Sequence, residues 1–135
     1  MTSAAIEDVV VTRGSKTELD ARRIVGTWRC TNRNTTGIPR FTIRAADGRL
    51  YLQVTSVRDG QDFDWPEREV TPYAHEFGSN EVFAFTTDYD FGFQRIHVQA
   101  VPRRGVMVFG TLTDFTDDSG RIGGFVREFY YRDRP

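Results

Sequence analysis

Polar and apolar side chains alternate along much of the chain after residue 25, with the two-residue period of half-buried β-strands. The run from Arg95 to Ala100 shows the pattern clearly. The segments between the alternating runs are rich in Gly, Asp, Asn and Pro, the residues that form tight turns. The pattern predicts eight strands: Val25 to Asn32, Pro39 to Ala45, Arg49 to Val57, Glu69 to His75, Glu81 to Thr87, Phe91 to Val101, Val106 to Phe115 and Arg121 to Arg132.

The segment before these strands has a different pattern. Residues 1–17 are predicted to form a flexible N-terminal arm, because Gly14-Ser15-Lys16 interrupts a short apolar stretch. Thr17 is a suitable N-cap for a single helical turn through Arg23, with Asp20 three residues further on. Residues 18–135 are then one β-barrel domain, a size typical of a single domain.

Eight strands with short connections and no crossover helix favour an all-β, antiparallel up-and-down barrel. Closing the sheet into a barrel removes exposed strand edges. A β-sandwich is the structural alternative. The longer connection from Asp62 to Pro66 suits either a sandwich crossover or a loop at the barrel mouth.

Gly26-Thr27-Trp28, at the start of the first predicted strand, resembles the motif that opens the first strand of lipocalin-like (calycin) barrels. The resemblance implies that Trp28 plugs one end of the barrel and that an arginine from the last strand, Arg127 or Arg132, crosses it. With Asn32, Thr36-Gly37-Ile38 and Asp62 to Trp65, the motif also resembles a group of small bacterial barrels of unassigned role.

The turns predict which side chains share a face of the last three strands. A turn at Pro102 to Gly105 places His97 opposite Phe109, and a turn at Asp117 to Gly120 places Phe109 opposite Arg127. The other face is aliphatic and includes Ile96 and Val98. The first face mixes aromatic and polar side chains: Arg95, His97, Gln99, Met107, Phe109, Thr111, Phe125, Arg127 and Phe129.

Ligand cavities combine aromatic walls with a few polar groups, so the mixed face is favoured as the lining of the barrel, with Trp28. The aliphatic face would then be covered by another copy of the chain. In the reverse assignment the three phenylalanines of the mixed face need that cover instead. Both assignments predict a homo-oligomer, since monomers rarely expose so large an apolar patch.

On the mixed face, His97 is the candidate general acid or base. Arg95, Gln99 and Arg127 beside it would bind a carbonyl or carboxylate group. Two histidines without ligand spacing predict no metal site, and the chain contains no phosphate-binding glycine loop or other cofactor motif.

The net charge, the cysteine count and the N-terminal segment exclude several classes of partner and of structural bond. A formal net charge of −1 provides no basic field for nucleic acid. Cys30 is the only cysteine, so an intrachain disulfide is impossible. The N-terminal segment lacks the apolar run of a signal peptide or membrane span, so the protein is predicted to be cytoplasmic, with no membrane partner.

The function predicted from these observations is a small-molecule-binding barrel whose cavity holds an apolar, partly oxygenated ligand. The alternative is a cofactor-independent cyclase or isomerase that acts on a natural-product-like substrate in the same cavity. A third hypothesis is a filled barrel with a purely structural role. The sequence does not decide whether the protein is an enzyme.

Overall fold

The computed structural model describes residues 9–13 and 17–133. Within these residues the regular elements are all strands. They are β1 Val10–Arg13, β2 Thr17–Asp20, β3 Gly26–Cys30, β4 Arg40–Ala46, β5 Arg49–Arg58, β6 Gln61–Asp64, β7 Arg68–Ala74, β8 Val82–Asp90, β9 Gln94–Arg103, β10 Val106–Phe115 and β11 Gly124–Arg132.

Eight of these strands close into an antiparallel barrel in the order β3, β4, β5, β7, β8, β9, β10, β11. Pairing of β4 with β5 and of β11 with β3 completes the ring. The predicted all-β barrel is therefore confirmed and is compatible with a calycin-like fold, whereas the sandwich alternative is wrong. No helix of the described residues is long and apolar enough to cross a membrane.

The connection from Asp62 to Pro66 lies at the barrel mouth. Strand β5 continues beyond the ring, and the chain then turns at Asp59-Gly60 and returns as β6, which pairs with β5. The sequence pattern did not predict β6. We call this end of the barrel the open end. The opposite end, where β3 begins and β11 finishes, is the closed end.

The N-terminal segment covers the closed end. Strands β1 and β2 form a hairpin in which Val11 and Leu19 are buried. Its β1 residues belong to the segment predicted to be flexible, of which residues 1–8 and 14–16 lie outside the described residues. The predicted helical turn is wrong at Thr17–Asp20, which is strand. A single turn follows instead, in which the amides of Ile24 and Val25 both donate to the carbonyl of Ala21, at 3.0 and 3.1 Å.

Trp28 plugs the closed end as the sequence motif implied. Its side chain is buried, and its indole Nε1 donates to the carbonyl of Ile24 at 3.0 Å. The guanidinium carbon of Arg132 lies 4.9 Å from the centre of the tryptophan ring. Gly26 has a φ of +139°, which side chains rarely adopt, and its Cα faces the Arg132 side chain. Arg132, rather than Arg127, is therefore the arginine that crosses the tryptophan.

Aromatic side chains fill the barrel interior next to Trp28. Phe41 lies at the centre, with ring centroids 4.6 Å from Phe109, 5.0 Å from Tyr130 and 6.3 Å from Trp28. Phe85 packs edge-on against Phe41 at 6.4 Å. The middle of the barrel is therefore a packed core rather than a cavity, and the pocket that reaches into the barrel interior lies at the open end.

Strand β11 is paired over different lengths with its two neighbours in the ring. Strand β11 makes eight residue pairs with β10 but only three with β3, between Tyr130–Arg132 and residues 28–30. Beyond these pairs, the amide of Thr31 donates to the carbonyl of Phe129 at 2.8 Å. The half of β11 nearer the open end has no ladder to β3 in the described residues. We call this junction the seam.

The register of the last three strands differs from the predicted one. His97 pairs with Leu112 instead of Phe109, and Phe109 pairs with Glu128 instead of Arg127. The turn between β9 and β10 consists of only two residues, Arg104-Gly105, so that Pro102 and Arg103 still belong to the strand. An odd shift in register moves side chains to the other face of a sheet.

The predicted lining is consequently wrong for six residues, which lie on the outer wall of the barrel. Met107, Phe109 and Thr111 of β10 do face inward, but beside Ile96 and Val98, the aliphatic residues predicted to face outward. The six outer residues are Arg95, His97, Gln99, Phe125, Arg127 and Phe129.

The outer wall of β9 to β11 carries a partly apolar surface. Phe125 is 59% exposed, and Phe129, Tyr131, Leu112 and Val101 are each about two fifths exposed. The ring of Phe125 lies over Gly110, where a Cβ would approach it to 3.1 Å. No described residue covers this surface, and association into a homo-oligomer stays a prediction.

Candidate functional site

A pocket of about 190 Å³ opens at the open end of the barrel. Most of its wall is apolar, and strands β5, β9, β10 and β11 contribute to it together with two loops. The apolar lining includes Ile38, Val57, Trp65, Ile96, Phe109 and Tyr130. The polar lining consists of Thr36, Ser56, Thr111, Thr113 and Glu128.

Trp65 follows β6 and forms one side of the pocket mouth. Its backbone amide donates to the carbonyl of Val54 at 2.9 Å, and its indole Nε1 donates to Ser56 Oγ at 2.9 Å. The rings of Tyr89 and Phe91 pack edge-on against it, with centroids at 4.9 and 5.4 Å. These contacts hold a large aromatic surface in one orientation beside the pocket.

The loop between β3 and β4 forms another part of the mouth. The carbonyl of Gly37 accepts from the amide of Val57 at 2.8 Å. The carbonyl of Ile38 accepts from the Tyr130 hydroxyl at 2.6 Å. Thr36-Gly37-Ile38 and Trp65, which are distant in sequence and belong to the tract that resembles the small bacterial barrels, therefore meet at this pocket.

Glu128 of β11 contributes the only carboxylate among the described residues that line the pocket. Cys30 Sγ donates to its Oε2 at 3.0 Å, and Thr35 Oγ1 donates to its Oε1 at 2.7 Å. Thr35 Oγ1 in turn accepts from the amide of Gly37 at 3.1 Å. A Cβ at Gly37 would come within 3.1 Å of Oε1, so a glycine at this position leaves room for the carboxylate.

The carboxylate keeps acceptor capacity for a ligand. An ionised carboxylate has about four lone-pair sites, and Cys30 and Thr35 use two of them. A partly buried charge in an apolar wall is stabilised by additional donors. The pocket therefore provides one strong hydrogen-bond acceptor in a mostly apolar surface.

Cys30 serves this site as a hydrogen-bond donor. Burial raises the pKa of its thiol, and the neighbouring Glu128 carboxylate raises it further. A thiol with a raised pKa stays protonated and is a poor nucleophile at neutral pH. Cys30 thus orients Glu128.

The predicted catalytic residue, His97, and the predicted arginines are not at the pocket. His97 lies on the outer wall, where its Nδ1 is 2.8 Å from Asp88 Oδ1 and its Nε2 is 3.3 Å from Gln99 Nε2. Arg95 lies 3.6 Å from Asp90 on the same exposed surface. Trp28 is at the closed end, so of the sequence candidates only Phe109 and Thr111 line the pocket.

Sequence reasoning missed Glu128, Trp65 and the Thr36 to Ile38 loop as lining residues. The signal for Glu128 was its spacing from Tyr130, which places both side chains on one face of β11. That face was assigned to the outside because of the register error. Nothing in the local sequence indicates that Thr35 and Cys30 converge on Glu128, since these contacts span more than 90 positions.

The buried hydroxyls and thiol predict loss of stability at alkaline pH. Burial raises the pKa of Tyr130 and of Tyr89, as it does for Cys30. These groups ionise in the unfolded chain at about pH 8.5 for Cys and about pH 10 for Tyr, but at higher pH in the folded protein. Their contribution is fully present below those values and is lost as the pH rises above them.

Urea unfolding should therefore give a free energy of unfolding that falls as the pH increases from about 8 to about 11. Tyr130→Phe removes one of the groups and should make this decline shallower, although the variant loses the hydrogen bond to Ile38. A free energy that stays constant over the range would contradict the prediction.

Comparisons of the chain with protein-family models, with curated proteins and with solved structures found no match.

Proposed function

We propose that the pocket at the open end binds a small, largely apolar molecule that donates a hydrogen bond to Glu128. The observation that carries the proposal is the single carboxylate in this apolar lining, oriented by Cys30 and Thr35. A hydroxyl group on an otherwise apolar ligand fits the partly oxygenated class predicted from the sequence. The carboxylate replaces the polar residues Arg95, His97 and Arg127 as the recognition element.

The volume sets the size of this ligand. Pockets for drug-sized molecules are usually about 300–1,000 Å³, and this one is smaller, at about 190 Å³. Phe41 and Phe109 block deeper entry, because their rings pack together below the pocket. The ligand is therefore about the size of a single substituted ring, or a larger molecule that inserts one end.

Binding is favoured over catalysis. The cyclase or isomerase alternative depended on His97 as the proton donor, and His97 lies on the outer wall. Cytoplasmic location stays a prediction.

An isomeric pair of ligands tests the proposal. 4-Methylphenol and anisole have the same atoms, but only the first has a hydroxyl donor. Titration followed by amide chemical shifts should show 4-methylphenol binding about tenfold more tightly, as expected for a hydrogen bond to a charged group. The shifted amides should belong to Ile96, Phe109 and their neighbours.

Glu128→Gln should reduce this preference several-fold, because a neutral acceptor replaces the carboxylate. Glu69→Gln is the matched control, since Glu69 is an exposed strand residue outside the pocket, paired with Arg49. Equal affinities for the two isomers in the wild-type protein, or an undiminished preference in Glu128→Gln, would exclude Glu128 as the recognition element.

A further inference from the structure

A groove at the closed end, far from the pocket, is lined by more basic than acidic side chains. Its volume is about 900 Å³, and it lies between the turn that follows β2, the turn between β9 and β10, and the end of β11. Its described lining contains two acidic residues, Asp20 and Glu81. Five arginines line it as well: Arg22, Arg23, Arg103, Arg104 and Arg132.

The lining therefore carries an excess of three positive charges, although the whole chain has a formal net charge of −1. A concave surface lined by charges of one sign concentrates its field and attracts counter-ions. The groove is thus an electropositive site on a nearly neutral protein.

The two acids of the groove neutralise only one side of it. Glu81 lies 2.7 Å from Arg23, and Asp20 lies 3.8 Å from Arg22. Arg103 and Arg104, on the other side, make no ion pair or side-chain hydrogen bond with any described residue. Two neighbouring guanidinium groups are therefore available to a ligand.

The backbone at Arg104 provides an independent observation. Three two-residue turns in the described chain have a positive φ at both positions: Asp47-Gly48, Asp59-Gly60 and Arg104-Gly105. Asp and Asn tolerate the first position of such a turn well, whereas other side chains adopt it at a cost. Arg104, with a φ of +50°, occupies the position that Asp fills in the other two turns.

The side chain of Arg104 thus does not favour the turn in which it lies, and it makes no compensating hydrogen bond or ion pair with a described residue. Residues held in sparsely populated backbone regions often have a functional role. Arg104 lines a groove with an excess of positive charge, and such a groove favours an anionic ligand.

We propose that this groove binds a phosphate-bearing ligand through Arg103 and Arg104. The planar guanidinium group donates two parallel hydrogen bonds to the oxygens of a phosphate, and two adjacent arginines match an anion with more than one charge. The phosphate group can belong to a soluble ester or to a lipid headgroup, since both present the same oxyanion. This site is independent of the pocket at the open end.

Inorganic pyrophosphate is the first probe, in calorimetric titration of the full chain at low ionic strength. We expect saturable binding to the wild-type protein that weakens as salt is added. Arg104→Asn and Arg103→Gln should each weaken the affinity about tenfold. Arg58→Gln is the matched control, because Arg58 is exposed beside the Asp59-Gly60 turn at the open end, and it should change the affinity less than twofold.

Arg104→Asn separates binding from folding. Asn suits a positive φ better than Arg, so this variant should unfold at the same temperature as the wild type or at a higher one. Weaker binding by a protein of equal or greater thermal stability therefore reports the loss of the guanidinium group rather than damage to the barrel.

Vesicles distinguish the two sources of phosphate. Co-sedimentation with phosphatidylglycerol vesicles but not with phosphatidylcholine vesicles, lost in Arg104→Asn, would identify a lipid headgroup as the source. Pyrophosphate binding without co-sedimentation would identify a soluble phosphate ester. Binding of neither probe, or equal binding by the wild type and Arg104→Asn, would overturn the proposal.

Discussion

Replacing Trp28 with alanine should lower the free energy of unfolding by about 3–5 kcal/mol, the range measured when a large buried aromatic side chain is removed. Trp28 is only 4% exposed and contacts both Phe41 and Arg132. Its removal would leave a cavity at the closed end and deprive the Arg132 side chain of the ring on which it lies. Urea unfolding followed by circular dichroism measures the change.

Trp28→Phe is the appropriate comparison. It keeps a ring against Phe41 but removes the indole donor to the carbonyl of Ile24, so we expect a smaller loss, of about 1–3 kcal/mol. A loss below about 1 kcal/mol for Trp28→Ala would mean that the tryptophan does not close the barrel.

Phe109→Ala should also cost about 3–5 kcal/mol, and it should in addition change which ligands bind. Phe109 is 2% exposed, forms part of the pocket wall and packs against Phe41 at 4.6 Å. Truncating it would extend the pocket into the core, and apolar cavities of this kind accept aromatic molecules. The affinity for 2-naphthol, which is larger than 4-methylphenol, should therefore increase relative to the wild type.

Phe77→Ala is the matched control, because Phe77 is fully exposed between β7 and β8. It should change the free energy of unfolding by no more than about 0.5 kcal/mol and leave 2-naphthol binding unaltered. If Phe109→Ala destabilises the protein without improving 2-naphthol binding, the core has collapsed into the space and the pocket is not continuous with it.

The architecture was largely predictable from the sequence because its signals are local. Alternation located all eight barrel strands, and Gly26 with Trp28 indicated the closed end. Strand β6 was missed because Gln61–Asp64 contains three polar residues and pairs only with the extension of β5. The N-terminal hairpin was missed because Thr17 to Asp20 has the residue types of a helix start, while burial of Leu19 against the barrel favours a strand.

The site was less predictable because the length of each turn decides on which face of the sheet a side chain lies. Pro102 is typical of a turn, yet here it lies in β9, and the turn is the two residues that follow. That difference exchanged the inner and outer faces of β9. The connection between β10 and β11, residues 116–123, also differs from the predicted turn and exchanged the faces of β11. The predicted register therefore placed His97 inside the barrel. The pocket instead contains Glu128, whose hydrogen-bond partners lie on a strand and a loop about 100 positions away in the sequence.

The seam between β3 and β11 gives Glu128 a second role. Closing the ring joins residues that are far apart in sequence, so it costs loop-closure entropy, and the β-ladder at this junction contributes only three residue pairs against that cost. Where that ladder stops, Cys30 and Thr35 donate hydrogen bonds to the Glu128 carboxylate and so join the two edges of the sheet. A ligand bonded to Glu128 would favour the state in which these edges are joined, so ligand binding and ring closure would be linked equilibria.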